Sequence, residues 1–239
     1  MRSDKWRIYD ELIDLVPAGE VVRNIWMGSY WILVESSGGG YGLAQNVSGQ
    51  VPEAAEKLVG RPVREVAGLM KSWNFWEAAL GLAALNTRGQ SAAARDGDAF
   101  EHFMSRVKGR KVAVIGRFPY LEKLRPQCAG LVVLERAPRE GDLPDSAAEY
   151  VLPEQEVVFI TSTALINKTL PRLLELCAGA QVGLVGPSTP LLPELFKHGL
   201  AALSGLVVTD PAAVAPVVQE GGTCIGLFAQ GTRKVNLVA

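Results

Sequence analysis

Histidine and cysteine are scarce. The 239-residue chain carries two histidines, His102 and His198, and three cysteines, Cys128, Cys177 and Cys224. Zinc and heavy-metal sites draw on cysteine pairs about two to four residues apart or on closely spaced histidines, and neither pattern occurs, so no dedicated metal site is expected. Scattered cysteines in odd number fit reduced, buried thiols in a cytoplasmic protein better than a disulfide framework. An excess of one charge is also missing. Lys and Arg number 24 against 25 Asp and Glu, for a net charge of −1, and no segment is strongly basic. Nucleic-acid binding through phosphate neutralisation is therefore not expected. No apolar run reaches the roughly 18 residues of a membrane span, and Met1-Arg2-Ser3-Asp4-Lys5-Trp6 lacks the apolar core of a signal peptide. No internal repeat is evident, and no low-complexity tract exceeds the glycines at 38–40.

What remains is an ordinary globular balance, 48% hydrophobic and 21% charged, whose pattern changes near residue 105. Before that point the order is helix, strands, then helices. Residues 5–16 have helical apolar spacing, 21–27 and 30–35 read as a hairpin around Gly28-Ser29, and 41–44 read as a third strand. Prolines open short helices at 52–58 and 62–70, and 75–86 is the longest apolar helix of this half. After that point short β-branched runs (111–115, 131–134, 157–160, 182–185, 206–208) alternate with helical stretches (120–125, 164–177, 191–198, 211–219). Such alternation implies a mainly parallel sheet covered on both faces. The expected organisation is thus α/β, with an α+β unit over 1–104 and a parallel-sheet unit over 105–239.

The most informative stretch is Val182 to Pro190, where an apolar run stops at Gly186-Pro187-Ser188-Thr189-Pro190 and a helical pattern resumes at Leu191. A strand, a tight turn and a helix N-terminus in that order aim N–H groups and hydroxyls at one place, at the strand ends where open α/β sheets bind ligands. Thr161-Ser162-Thr163 after the preceding strand, with Asn167 on the next helix, repeats the arrangement; these hydroxyls serve a ligand or cap the helix. Asp210 before Pro211 is most simply an N-cap. Gly116 closes the first strand of the parallel sheet and Glu135 the second. That is the place of an acid that holds ribose hydroxyls in dinucleotide or S-adenosylmethionine sites, but Phe118-Pro119 replaces the expected further glycines. Asn74 with Glu77 resembles a capping box at the start of the 75–86 helix. A Ser188–His198–Asp210 triad fails on the length of helix separating Ser188 from His198.

Three segments together resemble one family: Asn74-Phe75-Trp76-Glu77 through Asn86, Thr161-Ser162-Thr163 through Leu170, and Gly186-Pro187-Ser188-Thr189-Pro190-Leu191 followed by Gly205 and Asp210. The chain is similar over nearly its whole length to the putative heavy-metal chelation family of prokaryotes. The resemblance implies an enolase N-terminal-like domain followed by a Rossmann-like, methyltransferase-like domain, with a site between them. It also implies condensation or hydrolysis in making pterin-, flavin- or siderophore-like molecules. Glu77 would then be the general acid or base. Asn74, Thr161 to Thr163, Asn167, Gly186 to Thr189 and Asp210 would hold a small polar substrate, and Gly116 and Glu135 a cofactor such as S-adenosylmethionine. Two other readings stay open, a non-catalytic carrier of a metal–chelate or adenosine-type ligand and a methyltransferase. A homodimer is a further expectation. If the site is shared, the start of the helix at Asn74 faces the carboxyl end of the parallel sheet, and Glu77 comes within about 10 Å of the Ser188 turn, the width of a small-molecule pocket.

Overall fold

The helix α3, Phe75–Asn86, is apolar around its whole circumference, and residues 78–85 are all buried. A helix of this kind must be covered on every side, and its surroundings explain how the chain is assembled. The structure is a computed structural model that describes residues 5–89, 93–119, 121–223, 226 and 229–239, with the side chains of 100–102 outside the description. Cys224, named above, and residue 120, the first of the expected 120–125 helix, lie outside the described residues.

Ahead of α3 come α1 (Arg7–Asp14), the strands β1 (Val22–Met27), β2 (Trp31–Ser36) and β3 (Tyr41–Gln45), a 3-10 turn over Glu53–Leu58, and α2 (Val63–Gly68). The three strands form an antiparallel sheet in the order β1-β2-β3. Ile32 and Val34 of β2 join the core around α3, while Trp31 and Leu33 point the other way, as strand alternation requires. All six residues of β2 are buried because both faces are covered. Small residues let α3 lie close to β3: a Cβ on Gly42 would fall 2.0 Å from the carbonyl oxygen of Ala83.

The second sheet has eight strands. In chain order its elements are β4 (Arg95–Asp96), α4 (Ala99–Val107), β5 (Lys111–Ile115), α5 (Leu121–Leu124), β6 (Gly130–Glu135), β7 (Leu143–Pro144), α6 (Ala148–Val151), β8 (Val157–Thr161), α7 (Thr163–Ile166), α8 (Leu170–Leu176), β9 (Gln181–Val185), β10 (Leu200–Val208), α9 (Pro211–Gln219) and β11 (Thr232–Val238). The order across the sheet is β4-β11-β10-β9-β8-β5-β6-β7. Strands β10 through β7 run parallel, and β11 and β4 add antiparallel pairings at one side. The sheet already includes Arg95–Asp96, ahead of the 104/105 junction in the sequence pattern.

Several expected elements differ. The 164–177 helix is two pieces, α7 and α8, broken where Lys168 takes φ 65°. The 191–198 helix is a six-residue 3-10 segment, Pro193–His198. The last parallel strand begins at Leu200 rather than at 206, and β4, β7 and β11 have no counterpart in the apolar pattern.

The two halves share one interior. Tyr9 on α1 donates its hydroxyl to the carbonyl of Leu165 on α7 at 3.0 Å, and burial pushes its phenol pKa up. Val214, Ala215 and Val218 of α9 cover the Trp31 and Leu33 face of the small sheet. His198 meets Glu11 at 2.9 Å. The histidine that a Ser-His-Asp triad would have needed is therefore engaged with α1.

Candidate functional site

The parallel part of the large sheet changes winding direction between β5 and β8. The chain leaves β5 toward β6 and β7, then returns to lay β8 and β9 on the other side. The crevice outside the carboxyl ends at such a switch point is where open α/β sheets hold ligands. Gly116 and Arg117 follow β5 there, and Thr161 ends β8. Gly116 has φ 96°, and a Cβ on it would sit 2.9 Å from Cβ of Thr161, so the two strand ends meet only because the residue is glycine.

Two cavities open at this point and share Gln45, Arg117 and Thr161. The first, about 260 Å³, lies over β8 to β11. Phe118, Pro119, Val185 and Leu206 make it largely apolar, and Asp98, Lys234, Ser204 and Asn236 form a polar side. The second, about 280 Å³, lies over β5, β6 and β8. It is lined by Gly116, Glu135, Arg136, Asp145, Thr163, Asn167 and Thr169 among others. Side by side they are of the size that small-molecule sites occupy, roughly 300–1,000 Å³. Gln45, at the end of β3, brings the small sheet to the waist between them.

Each cation lining the cleft is paired with an acid. Arg117 meets Asp142 at 2.5 Å, Lys234 meets Asp98 at 2.8 Å and Arg136 meets Asp145 at 3.5 Å. The Asp142 carboxylate raises the pKa of Arg117. In return Arg117, with the backbone N–H of Arg139, holds Asp142 below the usual carboxylate range. Balanced pairs of this kind do not make the concentrated positive field that gathers polyphosphates.

The structure sorts the residues expected from the sequence into two groups. Thr161 and Ser162 line the first cavity together with Gly186 and Pro187. Thr161 also borders the second, with Thr163, Asn167, Gly116 and Glu135. The Thr161 and Thr163 hydroxyls lie 3.0 Å apart. Asn167 is oriented by Thr169, whose N–H and hydroxyl both donate to its Oδ1, at 3.1 and 2.6 Å. The amide nitrogen of Asn167 is thereby turned away from Thr169.

The remaining candidates line neither cavity. Ser188 is fully buried. Its Oγ accepts from the N–H of Gln45 at 2.8 Å, and its carbonyl accepts from the Asn86 side chain at 3.0 Å. Thr189 is buried and donates its hydroxyl back to the Gly186 carbonyl at 2.8 Å. The second half of this turn therefore fastens β3 and the end of α3 to the large sheet. No α-helix begins after it, which corrects the expected helix N-terminus. Asp210 caps α9, accepting from Ala213 N–H at 3.2 Å.

Asn74 caps α3 through Trp76 N–H. Glu77 does not complete a capping box; its carboxylate takes the hydroxyl of Ser72. The end of α3 that touches the Ser188 turn is Asn86, nine residues from Glu77 and so about 13 Å along the helix. It is thus the end of the helix that touches the turn, and Glu77 is not brought beside it as the shared-site expectation required.

Gln45, Arg117, Asp98 and Lys234 were not singled out in the sequence. Arg117 carried a signal, since it directly follows the strand-ending Gly116. Lys234 lies on a strand that the apolar pattern did not reveal. Among the described residues no group of three or more His, Cys, Asp or Glu is placed to hold an ion. Cys177 is buried and its thiol is pushed up to about 12 by that burial, while Cys128 donates to the Leu124 carbonyl. No helix of the described residues is long and apolar enough to cross a membrane.

Comparison with known proteins places these features in a group. Two family models, both described as "Putative heavy-metal chelation", match the chain, one (DUF364) over 98–237 and the other (DUF4213) over 9–87. An uncharacterised protein of Methanocaldococcus jannaschii is 32% identical over 162 residues. That match covers 64% of this chain and 62% of the relative, so the chain spans less than two thirds of that relative's length. The crystal structure of a DUF364 protein of unknown function from Desulfitobacterium hafniense superposes with a TM-score of 0.89 at 38% identity, over 98% of this chain and 99% of that one. A second, from Pyrococcus horikoshii, gives 0.81 at 22% identity over the same shares and bears on the fold alone.

Proposed function

The chain belongs to the putative heavy-metal chelation family, and on that footing we propose that it binds a small polar organic molecule across the two cavities at the sheet's switch point. The observation that carries this reading is that Gln45, Arg117 and Thr161 line both an apolar cavity and a hydroxyl-lined one, which sets the two side by side. A ligand suited to both has a flat or apolar part for Phe118, Pro119, Val185 and Leu206, and a hydroxyl-bearing part for Thr161, Thr163, Asn167 and Glu135. Adenosine-type compounds, pterins and organic chelators share that outline. Chelation, in this reading, belongs to the ligand, because the described residues offer no cluster to wrap a metal directly.

Capture without turnover is favoured over condensation or hydrolysis because the one general acid or base expected from the sequence, Glu77, is bonded to Ser72 and lines neither cavity. An S-adenosylmethionine-dependent reaction draws support from Gly116 and Glu135 bordering the same cavity, and is opposed by Phe118-Pro119 in place of a glycine-rich loop.

Incubation with pterins, adenosine, S-adenosylhomocysteine and iron or nickel complexes of organic chelators, followed by mass spectrometry of protein and supernatant, tests the reading. Retention of one class unchanged, lost in Arg117→Ala, is the expected result. A new mass in the supernatant would favour the enzyme, and retention of none would overturn the assignment of the cleft.

A further inference from the structure

A pair of opposite charges stands at the polar side of the apolar cavity, and the backbone fixes where they are. Lys234 lies on β11, and its carbonyl accepts from Gly97 N–H at 3.1 Å. The carbonyl of Gly97 accepts in turn from the Asn236 side chain at 2.9 Å, and Asn236 Oδ1 accepts from the Ser204 hydroxyl. Ser204 and Asn236 are both buried. Gly97 is thus held to β11 through both its N–H and its carbonyl, and Asp98, the next residue, is carried to 2.8 Å from the Lys234 ammonium. Both side chains border the cavity, and each is mostly covered, 17% exposed for Asp98 and 32% for Lys234.

Resting on the ligand reading of the cleft, we propose that this cavity takes the amino-carboxylate end of an α-amino acid or of an amino-acid conjugate, Lys234 pairing with the carboxylate and Asp98 with the ammonium. The argument is one of charge complementarity in a partly desolvated place, where pair energies exceed those in bulk water. A ligand bearing only a carboxylate meets Asp98 as a like charge beside the cation it seeks. A ligand bearing only an ammonium meets Lys234 in the same way, and juxtaposed like charges are what specific sites use to reject wrong partners. A neutral group gains from neither. A zwitterion with adjacent charges matches both members without leaving a charge uncompensated. Its side chain or conjugated part then lies among Phe118, Pro119, Val185 and Leu206, toward the waist at Arg117.

The test uses the full chain with L-methionine and L-phenylalanine as probes. Each is set against its N-acetyl derivative, which lacks the ammonium, and its carboxamide, which lacks the carboxylate. Melting temperature and titration calorimetry are the readouts. The free amino acids should bind at least tenfold more tightly than either derivative, and Lys234→Met and Asp98→Asn should each remove that preference. Single variants that keep the melting temperature of the unliganded protein while losing the preference for the free amino acids separate recognition from a structural role of the pair. Equal binding of the singly charged derivatives, or amino-acid binding that survives both single variants, would overturn the proposal. If adenosine or pterin binds in an Arg117-dependent way while no amino acid does, the zwitterion site is wrong and the cleft reading stands. If no probe of either kind binds, both fall.

Discussion

Two turns, after β8 and after β9, present the same chemistry in sequence and opposite roles in the fold. Thr161 ends β8, Ser162 and Thr163 follow, and α7 begins at once, so the chain stays at the sheet edge and all three residues border the cavities. Gly186-Pro187-Ser188-Thr189 follows β9, and no α-helix follows. The chain instead turns inward, burying Ser188 and Thr189 against Gln45, Asn86 and the Gly186 carbonyl. Only Gly186 and Pro187 stay in the cleft. A hydroxyl at a strand end serves a ligand only if the next element leaves it at the edge. If the chain turns under the neighbouring layer, the same hydroxyl must satisfy a buried backbone group, because an unpaired one is costly.

The largest effect that tests this contrast is expected at Ser188. Ser188→Ala leaves Gln45 N–H without its buried partner and should cost about 1–3 kcal/mol in denaturant unfolding, with ligand affinity nearly unchanged in the surviving fold. Weakened binding at unchanged stability would break the comparison. Thr161→Val should do the reverse. Binding is expected to weaken about tenfold, near 1.4 kcal/mol, by calorimetry, while stability falls by less than about 1 kcal/mol. Asp210→Ala should cost about 1 kcal/mol through the lost α9 cap and leave binding untouched. A binding defect there would return Asp210 to the site.

A separate effect, a pH slope, is expected at Lys168, beyond the β8 turn. Its ammonium donates to the Ser72 and Ile166 carbonyls and lies near the rings of Trp73 and Phe75, and burial pulls its pKa from 10.5 to about 8. The unfolded chain therefore binds more protons than the folded one between those values. Stability relative to Lys168→Met should be lowest below pH 8 and rise as pH climbs toward 10.5. Urea titrations of both proteins at stepped pH would show it, and a flat difference would remove the burial argument.

Much of the fold was legible because it rests on local pattern. Four parallel strands, β5, β6, β8 and β9, stood out as apolar runs between turns, the 206–208 run marked only the end of β10, and the 75–86 helix matched α3 at both ends. Where the pattern failed, the cause was not local. β11 reads Thr-Arg-Lys-Val-Asn-Leu-Val, half polar, and holds its place by pairing with β10 and β4 across the chain. The 164–177 helix looked continuous because apolar spacing does not register a single residue at φ 65°, and Lys168 is held there by carbonyls from both halves. In the site, strand-end residues such as Gly116, Thr161 and Glu135 followed from topology alone, whereas Gln45, Asp98 and Lys234 come from elements that meet only in the assembled molecule.

By itself, then, the sequence determined the alternation of strands and helices and which residues end the parallel strands. These depend on spacing and composition within a few residues of each other. The tertiary structure decided which hydroxyls remain at the edge, that α3 meets the Ser188 turn by Asn86 rather than by Glu77, and that Lys234 and Asp98 stand together beside a cavity. Those outcomes turn on the direction in which a chain leaves a strand and on pairings between residues more than a hundred positions apart, distances over which local propensity exerts no constraint.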